Sequence, residues 1–470
     1  MKIFFEKLVV FMLMVLFSIG QMHAQNGFVH GYSSEYVYPE EKNIREKLDQ
    51  WQDLKFGVLF HWGLYSVPGI VESWSICSED VDWISRDSTV AYDDYKRQYR
   101  QLIDQFNPTR FDPEQWARVT KDGGMKYMIF TTKHHDGFNL FDTKQTDFSI
   151  LHGAFKDHPR ADVTRYILDA FREQDFMVGT YFSKPDWHCE YYWWPMFATP
   201  DRNVNYKIER HPWRWKKFQE FTYNQIHELM TNYGDIDILW LDGGWVRAPK
   251  QDIKMDEIAK MARQSQPNLL IVDRTVHGKN ENYLTPERSV PEQQLPIPWE
   301  SCIPLSSDWG WTSHAKFKPA DEVIKLLIEV VAKGGNLLLG IGPTPEGIIQ
   351  PEVVARLKEI GEWLDVNGKA VYRTRITPVY KSGNVWFTAD KDGETLYAFY
   401  VPTESETGKA NSVFIEWKDN IPRKGSSMVL LKTGQKVKWK QTGNTIRVYP
   451  PKDVLKKNEI LVFSFKNNNR

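Results

Sequence analysis

The chain has 470 residues, which at about 100–200 residues per domain allows two to four domains, or one large barrel with an attachment. Its 60 basic and 61 acidic side chains leave a formal net charge of −1, so there is no broad cationic field to draw nucleic acid or anionic lipid. With 41% hydrophobic and 26% charged residues wholesale disorder is excluded, and the 14% aromatic content hints at ligands with a flat apolar side and a polar edge, sugars among them.

At the N-terminus, Lys2 and Lys7 precede a short apolar run at 8–19, and small or polar residues lead to Ala24. That is the pattern of an export signal (1–24) cleaved near Ala24, so the mature chain is expected to work in the periplasm or as a secreted protein. The run is shorter than the roughly 20 apolar residues of a membrane span, and no later segment resembles one. No Cys follows it, which argues against a lipid anchor. Cys77, Cys189 and Cys302 are too few and too far apart for a disulfide framework, and no Cys-x-x-Cys pair supports a zinc site. Three buried free thiols are expected.

From residue 41 to 368 short apolar runs alternate with longer amphipathic stretches. The runs at 56–62, 127–132, 177–182, 236–241, 269–272 and 337–341 are nearly continuous in apolar residues, as strands buried on both faces are. Helical patterns fall at 112–121, 162–174, 213–233, 256–264 and 319–333, with Asp112 and Asp162 as N-caps and Gly123 and Gly334 as stops. Strand–helix alternation over this length predicts a parallel α/β fold. No Gly-x-Gly-x-x-Gly follows the first strand and no phosphate-binding loop occurs, so a closed (β/α)8-like barrel over 25–372 is expected rather than an open nucleotide-binding sheet. Near Arg373 the texture changes to short β-rich runs at 385–388, 395–400, 412–417, 428–431, 445–449 and 460–465, separated by turn signals. Residues 373–470 are therefore expected to form an antiparallel β-sandwich. Trp386, Trp417 and Trp439 read as its core more than as a glycan platform.

A β/α barrel carries its chemistry at the C-terminal ends of the strands. Those ends read Phe60-His61-Trp62-Gly63, Lys133-His134-His135-Asp136-Gly137-Phe138, Ser183 with Asp186-Trp187, Trp240-Leu241-Asp242-Gly243-Gly244-Trp245, and Asp273-Arg274. Polar strand ends serving loops explain one or two such positions, not five. Asp242 stands out, because a largely apolar strand would hold its carboxylate rigidly and two following glycines would let a ligand approach; an Asx turn at a strand–helix junction is the competing explanation. Carboxylates and aromatics on one rim make glycoside hydrolysis the leading chemistry, since it needs one ionised carboxylate under the anomeric carbon and one protonated carboxyl beside the leaving oxygen.

With Pro298-Trp299-Glu300, Trp309-Gly310-Trp311 and Gly335-Asn336-Leu337-Leu338-Leu339 added, the motifs resemble, in order over about residues 40–375, the α-L-fucosidases of glycoside hydrolase family 29. The resemblance implies a retaining exo-hydrolase of terminal α-L-fucose that needs no cofactor or metal, with Asp242 at the nucleophile position. It implies two placements for the acid/base, Glu287 in Thr285-Pro286-Glu287 and Glu300 in Trp299-Glu300-Ser301. Glu287 in its loop is preferred for the proton transfer; Glu300, after an apolar Pro-Ile-Pro-Trp run, is expected at the rim end of a barrel strand. Fucose contacts carried over are His61, His134, His135, Trp240 and Arg274, with Tyr181 pointing inward, Trp309 or Trp311 as an apolar wall for the C5 methyl, and Trp74 keeping its place. The family's Ser-Glu-Trp is Glu72-Ser73-Trp74 here, one residue out of step, so no role is carried to Glu72. The Trp-rich insert at 187–214 and the stretch 74–99 are candidate walls for the aglycone. The expected partner is a fucosylated glycan, with no nucleic acid and no membrane span.

Two other readings compete. A metal-dependent hydrolase would use His134, His135, Asp136 and Asp242, but adjacent residues of a strand face opposite sides, and His-x-His spacing is absent. A non-catalytic carbohydrate-binding protein would lack the nucleophile or the proton donor, and the candidates for both are present.

Overall fold

The computed structural model describes residues 36–468, apart from 80, 82, 85, 403–413, 452–453 and 455–458. The export signal expected at 1–24, with its cleavage point at Ala24, lies outside the described residues.

Runs such as Phe56–Phe60 (β1) and Tyr127–Lys133 (β2) are buried at every position, because helices cover one face and the barrel interior the other. Met177–Ser183 (β3), Ile238–Asp242 (β4), Leu270–Asp273 (β5), Glu300–Pro304 (β6) and Asn336–Ile341 (β7) complete a parallel sheet in the order β5-β4-β3-β2-β1-β7-β6. Val58, for example, sits opposite Met128 on one side and Leu339 on the other.

The eighth stave is irregular. Residues 281–288 bridge β5 and β6 through Asn282 N–H to Ile271 O (2.8 Å), Glu300 N–H to Leu284 O (2.8 Å) and Arg288 N–H to Cys302 O (2.9 Å). Pro286 has no N–H to give to a ladder, which explains why this stave lacks regular strand pairing. The result is a (β/α)8-like barrel, as expected.

Alternation along the strands decides what the barrel encloses. Leu59, Ile129, Tyr181, Ile238, Trp240, Leu270, Val272, Cys302 and Leu338 share one buried inner cluster. The helix Lys42–Leu54, not singled out in the sequence, closes the bottom: its Trp51 stacks on Tyr283 at 3.9 Å between ring centroids. The helices Pro113–Asp122 and Val163–Arg172 start where their caps direct, Asp112 accepting from Gln115 N–H at 2.8 Å and Asp162 from Arg165 N–H at 3.4 Å.

From Thr374 onward the strands β8 (Thr374–Arg375), β9 (Lys381–Ser382), β10 (Val385–Asp390), β11 (Thr395–Tyr400), β12 (Ile415–Lys418), β13 (Met428–Leu430), β14 (Gln435–Thr442), β15 (Thr445–Tyr449) and β16 (Leu461–Lys466) pair antiparallel. β14 serves both faces of the sandwich, pairing with β13 through its first residues and with β15 through its last. Trp417 is buried between the faces, 5.8 Å from Phe387 and 5.9 Å from Phe465. Trp386 and Trp439 are half-buried, and Lys381 covers the Trp386 ring at 4.0 Å. The sandwich is tied to the barrel by Thr388 Oγ1 to Ala370 O (2.8 Å) and by Arg375 and Lys391, which both reach Asp49 and Asp53. Cys77, Cys189 and Cys302 are buried free thiols, and among the described residues no helix is long and apolar enough to cross a membrane.

Candidate active site

Inward parity and strand length place Asp242. Ile238, Trp240 and Asp242 face the interior in succession, and Asp242 ends β4 at the open rim. The next two residues must be glycine for reasons of the protein itself. Gly243 has φ +84, and a Cβ there would lie 2.2 Å from Pro185; one on Gly244 would lie 1.9 Å from Thr275.

Arg274 follows β5 with the same inward parity and grips the carboxylate. Its Nη1 donates to Asp242 Oδ1 at 2.7 Å, its Nη2 to Glu287 Oε2 at 2.8 Å, and its Nε to Thr285 Oγ1 at 3.1 Å. The guanidinium lies over the Trp240 ring at 4.2 Å. On the other side Tyr181 O–H donates to Asp242 Oδ2 at 2.6 Å. Burial pushes the Asp242 carboxyl up, but Arg274, Tyr181 and the Gly243 N–H outweigh it and hold the group well below the usual carboxylate range. Asp242 is thus ionised while its side chain stays 19% exposed to the cavity.

That cavity, about 950 Å³, is lined by buried His61, Glu72, His134, His135, Tyr181, Trp240, Arg274, Cys302 and Trp309 and by half-buried Trp74, Asp242 and Glu287. Exposed Trp83, Arg247 and Arg288 and half-buried Arg202, Trp245 and His277 also line it. β2 ends at Lys133, so the alternation rule no longer separates His134 from His135, and both rings face the cavity 4.3 Å apart. Burial pulls His134 down to about 4, and His61 and His135 well below the usual imidazole value. The three rings are therefore neutral hydrogen-bonding groups. Among the described residues no set of three or more His, Cys, Asp or Glu side chains converges to hold a metal ion. Asp136 turns away instead, accepting from Tyr99 O–H at 2.6 Å and Phe138 N–H at 3.1 Å. Asp186 and Asp273 are likewise engaged in buried pairs with Lys133 and Lys184.

Three sequence expectations are corrected by the geometry. Glu300 begins β6 rather than ending a strand: Pro296 and Pro298 lack N–H donors, so the ladder starts only after them. Its carboxylate faces inward beneath Trp240, accepting from Tyr127 O–H at 2.7 Å and Trp240 Nε1–H at 3.1 Å, and it does not line the cavity. Trp311 also stays out, its ring against Gly69; Trp309 supplies the wall, with its ring stacked on His61 at 5.1 Å. In the insert at 187–214 Trp187 stacks on Trp193 at 5.1 Å, Trp194 packs on Phe197, Tyr206 and His211, and Trp213 is exposed, so none of these tryptophans lines the cavity. What this insert gives the cavity is Arg202, lying 4.7 Å from the Trp74 ring and 5.1 Å from the Trp245 ring and paired through Nε and Nη2 with the two carboxylate oxygens of Glu79.

Glu72 is the residue the motif comparison passed over. A backbone with φ 21 swings it into the wall, where Oε1 accepts from Trp309 N–H (3.1 Å) and Gly310 N–H (3.0 Å). Burial raises its carboxyl to about 7 against the pull of those N–H groups and Arg288.

Burial also raises Glu300, from 4.5 to about 7, despite the donors Tyr127 and Trp240. Between these values the folded state holds the proton that the unfolded chain has released, so this carboxyl favours the native state at low pH and the contribution is lost as pH rises through about 7. Glu300→Gln is expected to gain stability relative to the unsubstituted protein across that window by on the order of 3 kcal/mol. Denaturant midpoints measured from pH 4.5 to 7.5 check this, and a difference independent of pH would contradict it.

The comparisons follow the same lines. The family model described as alpha-L-fucosidase matches residues 24–369. Plasma alpha-L-fucosidase of Rattus norvegicus is 29% identical over 382 residues, which are 76% of this chain and 78% of that one. Alpha-L-fucosidase isoenzyme 1 from Paenibacillus thiaminolyticus superposes with a TM-score of 0.76 at 27% identity, over 91% of this chain and all of the other (100%). An alpha-L-fucosidase from Bacteroides thetaiotaomicron, solved as a trapped covalent intermediate with 2-fluoro-fucosyl fluoride, does so with a TM-score of 0.71 at 25% identity, over 93% and 98% of the two chains. The chain belongs to the alpha-L-fucosidase family of glycoside hydrolases.

Proposed function

We propose that the protein is a retaining exo-α-L-fucosidase that removes terminal α-L-fucose from glycans by double displacement, and that it works after export from the cytoplasm. The observation that carries this is one guanidinium, Arg274, bonded at once to Asp242 and Glu287 in the same cavity. Two carboxylates on one guanidinium favour the close spacing of retaining enzymes (about 5–5.5 Å) over the wide spacing of inverting ones (about 6.5–9.5 Å). The covalent intermediate of the Bacteroides relative supports the same stereochemistry.

In the first step Glu287 gives its proton to the glycosidic oxygen while Asp242 attacks the anomeric carbon. The carbon–oxygen bond breaks, the alcohol leaves, and a β-linked fucosyl ester forms. In the second, Glu287 takes a proton from water, the hydroxide oxygen bonds to the anomeric carbon, and Asp242 leaves as carboxylate. The neutral imidazoles of His61, His134 and His135 bind the hydroxyls, Trp240 and Trp309 give apolar walls, and Arg274 and Tyr181 are fixed in place before charge develops. Trp74, Trp83, Trp245 and Arg202 face the remainder of the glycan.

Hydrolysis of 4-nitrophenyl α-L-fucoside by the purified protein, followed by proton NMR with and without EDTA, tests this. Turnover insensitive to EDTA, with the α-anomer of fucose appearing first, is expected. No turnover, or first release of the β-anomer, would overturn the proposal.

A further inference from the structure

Ser183 does not line the cavity, yet its hydroxyl governs an imidazole that does. It is the last residue of β3, fully buried, alongside Asp242 in the sheet. Its Oγ lies 2.7 Å from the Pro185 carbonyl oxygen and 2.7 Å from His135 Nδ1. A serine hydroxyl has one proton, and a carbonyl oxygen only accepts. The proton must therefore go to Pro185, and Oγ must accept at its other contact. Nδ1 of His135 then carries the N–H.

On the opposite edge of the ring, Nε2 lies 3.8 Å from Asp242 Oδ2. Trp74, Trp187 and Trp245 pack around the imidazole, at 5.2, 5.2 and 5.3 Å between centroids, so it has little freedom to turn. Burial keeps the ring neutral, and with the proton on Nδ1 the Nε2 lone pair points toward the nucleophile's own lone pairs. Two acceptors so placed call for a donor between them. A reacting sugar brings its anomeric carbon to about 3–3.5 Å from the attacking oxygen, and the hydroxyl on the adjoining ring carbon travels with it into this space.

We propose that Ser183 is a positioning residue that fixes His135 as a hydrogen-bond acceptor for the substrate's 2-hydroxyl. This rests on the fucosidase reading of the site. As positive charge grows at the anomeric carbon the 2-hydroxyl becomes a better donor, so an acceptor on it gains strength in the transition state. The opposite tautomer would aim an N–H there and compete for the Asp242 carboxylate.

The test compares the wild-type protein and Ser183→Ala on two substrates, an aryl α-L-fucoside and its 2-deoxy analogue. On the fucoside, the variant's kcat/KM is expected to fall about 10–100-fold. On the 2-deoxy substrate variant and wild type should agree within about threefold, because the interaction that Ser183 supports is already missing. Equal losses on both substrates, or none on either, would overturn the proposal. Neutron diffraction from perdeuterated wild-type crystals reads the tautomer without any variant: deuterium on His135 Nδ1 is expected, and deuterium on Nε2 alone would overturn it. Wild-type protein inactive on the fucoside would instead sink the fucosidase reading, while the position of the deuterium would still decide the tautomer.

Discussion

Asp242→Gly is expected to lower kcat on an aryl α-L-fucoside by on the order of 10⁴-fold or more, and sodium azide is expected to restore turnover, releasing β-L-fucosyl azide. The loss is large because the side chain supplies both the new covalent bond and the negative charge facing the oxocarbenium-like transition state. The remaining site stays assembled: Arg274 keeps Glu287 and Thr285 as partners, and the Trp240 ring beneath its guanidinium. Glycine leaves a space open to the cavity on the face from which the carboxylate attacked. An azide ion in that space meets the anomeric carbon from the same side, so a single displacement inverts the configuration. A variant that is inactive but gives no azide adduct, or gives the α-azide, would place the nucleophile elsewhere.

Glu287→Ala is expected to divide the two steps. For a fucosyl glycan, whose leaving alcohol needs a proton, kcat/KM is expected to fall about 10³-fold. For an aryl fucoside with a good leaving group the first step should hardly change, while the second slows because no base activates water. The ester then accumulates, so kcat and KM fall together and a burst of phenol precedes the steady state. Azide needs no base, and its attack on the ester from the leaving-group side gives α-L-fucosyl azide. Glu300→Gln is expected to show none of these signatures, since that carboxylate meets Tyr127 and Trp240 below the cavity. Azide rescue in the Glu300 variant with none in the Glu287 variant would exchange their roles.

The parts of this site that depend on strand alternation were legible in the sequence. An apolar run ending in Trp240-Leu241-Asp242 carries Asp242 to the rim on the parity of Ile238, and Leu270–Asp273 does the same for Arg274. What escaped depends on backbone that no period describes. The stave at 281–288 is held by scattered bridges to β5 and β6, so the height of Glu287 against Glu300 could not be read from their spacing. The apolar character of the run before Glu300 suggested a strand, but its two prolines have no N–H to give, so the ladder begins only at Glu300. Glu72 reaches the cavity through a left-handed backbone step, which a motif displaced by one residue does not reveal. Arg202 arrives from an insert whose tryptophans drew attention but do not line the cavity.

The measurement that bears most directly on double displacement through Asp242 is mass spectrometry of the protein after incubation with 2-fluoro-α-L-fucosyl fluoride. The fluorine destabilises both transition states, while the fluoride leaving group keeps the first step fast, so the ester persists. The expected result is a mass increase of one 2-fluorofucosyl group, mapped by peptide fragmentation to the carboxyl of Asp242, with activity returning as the label is hydrolysed. A label on any other residue, or turnover of the fluoride with no covalent adduct, would contradict it.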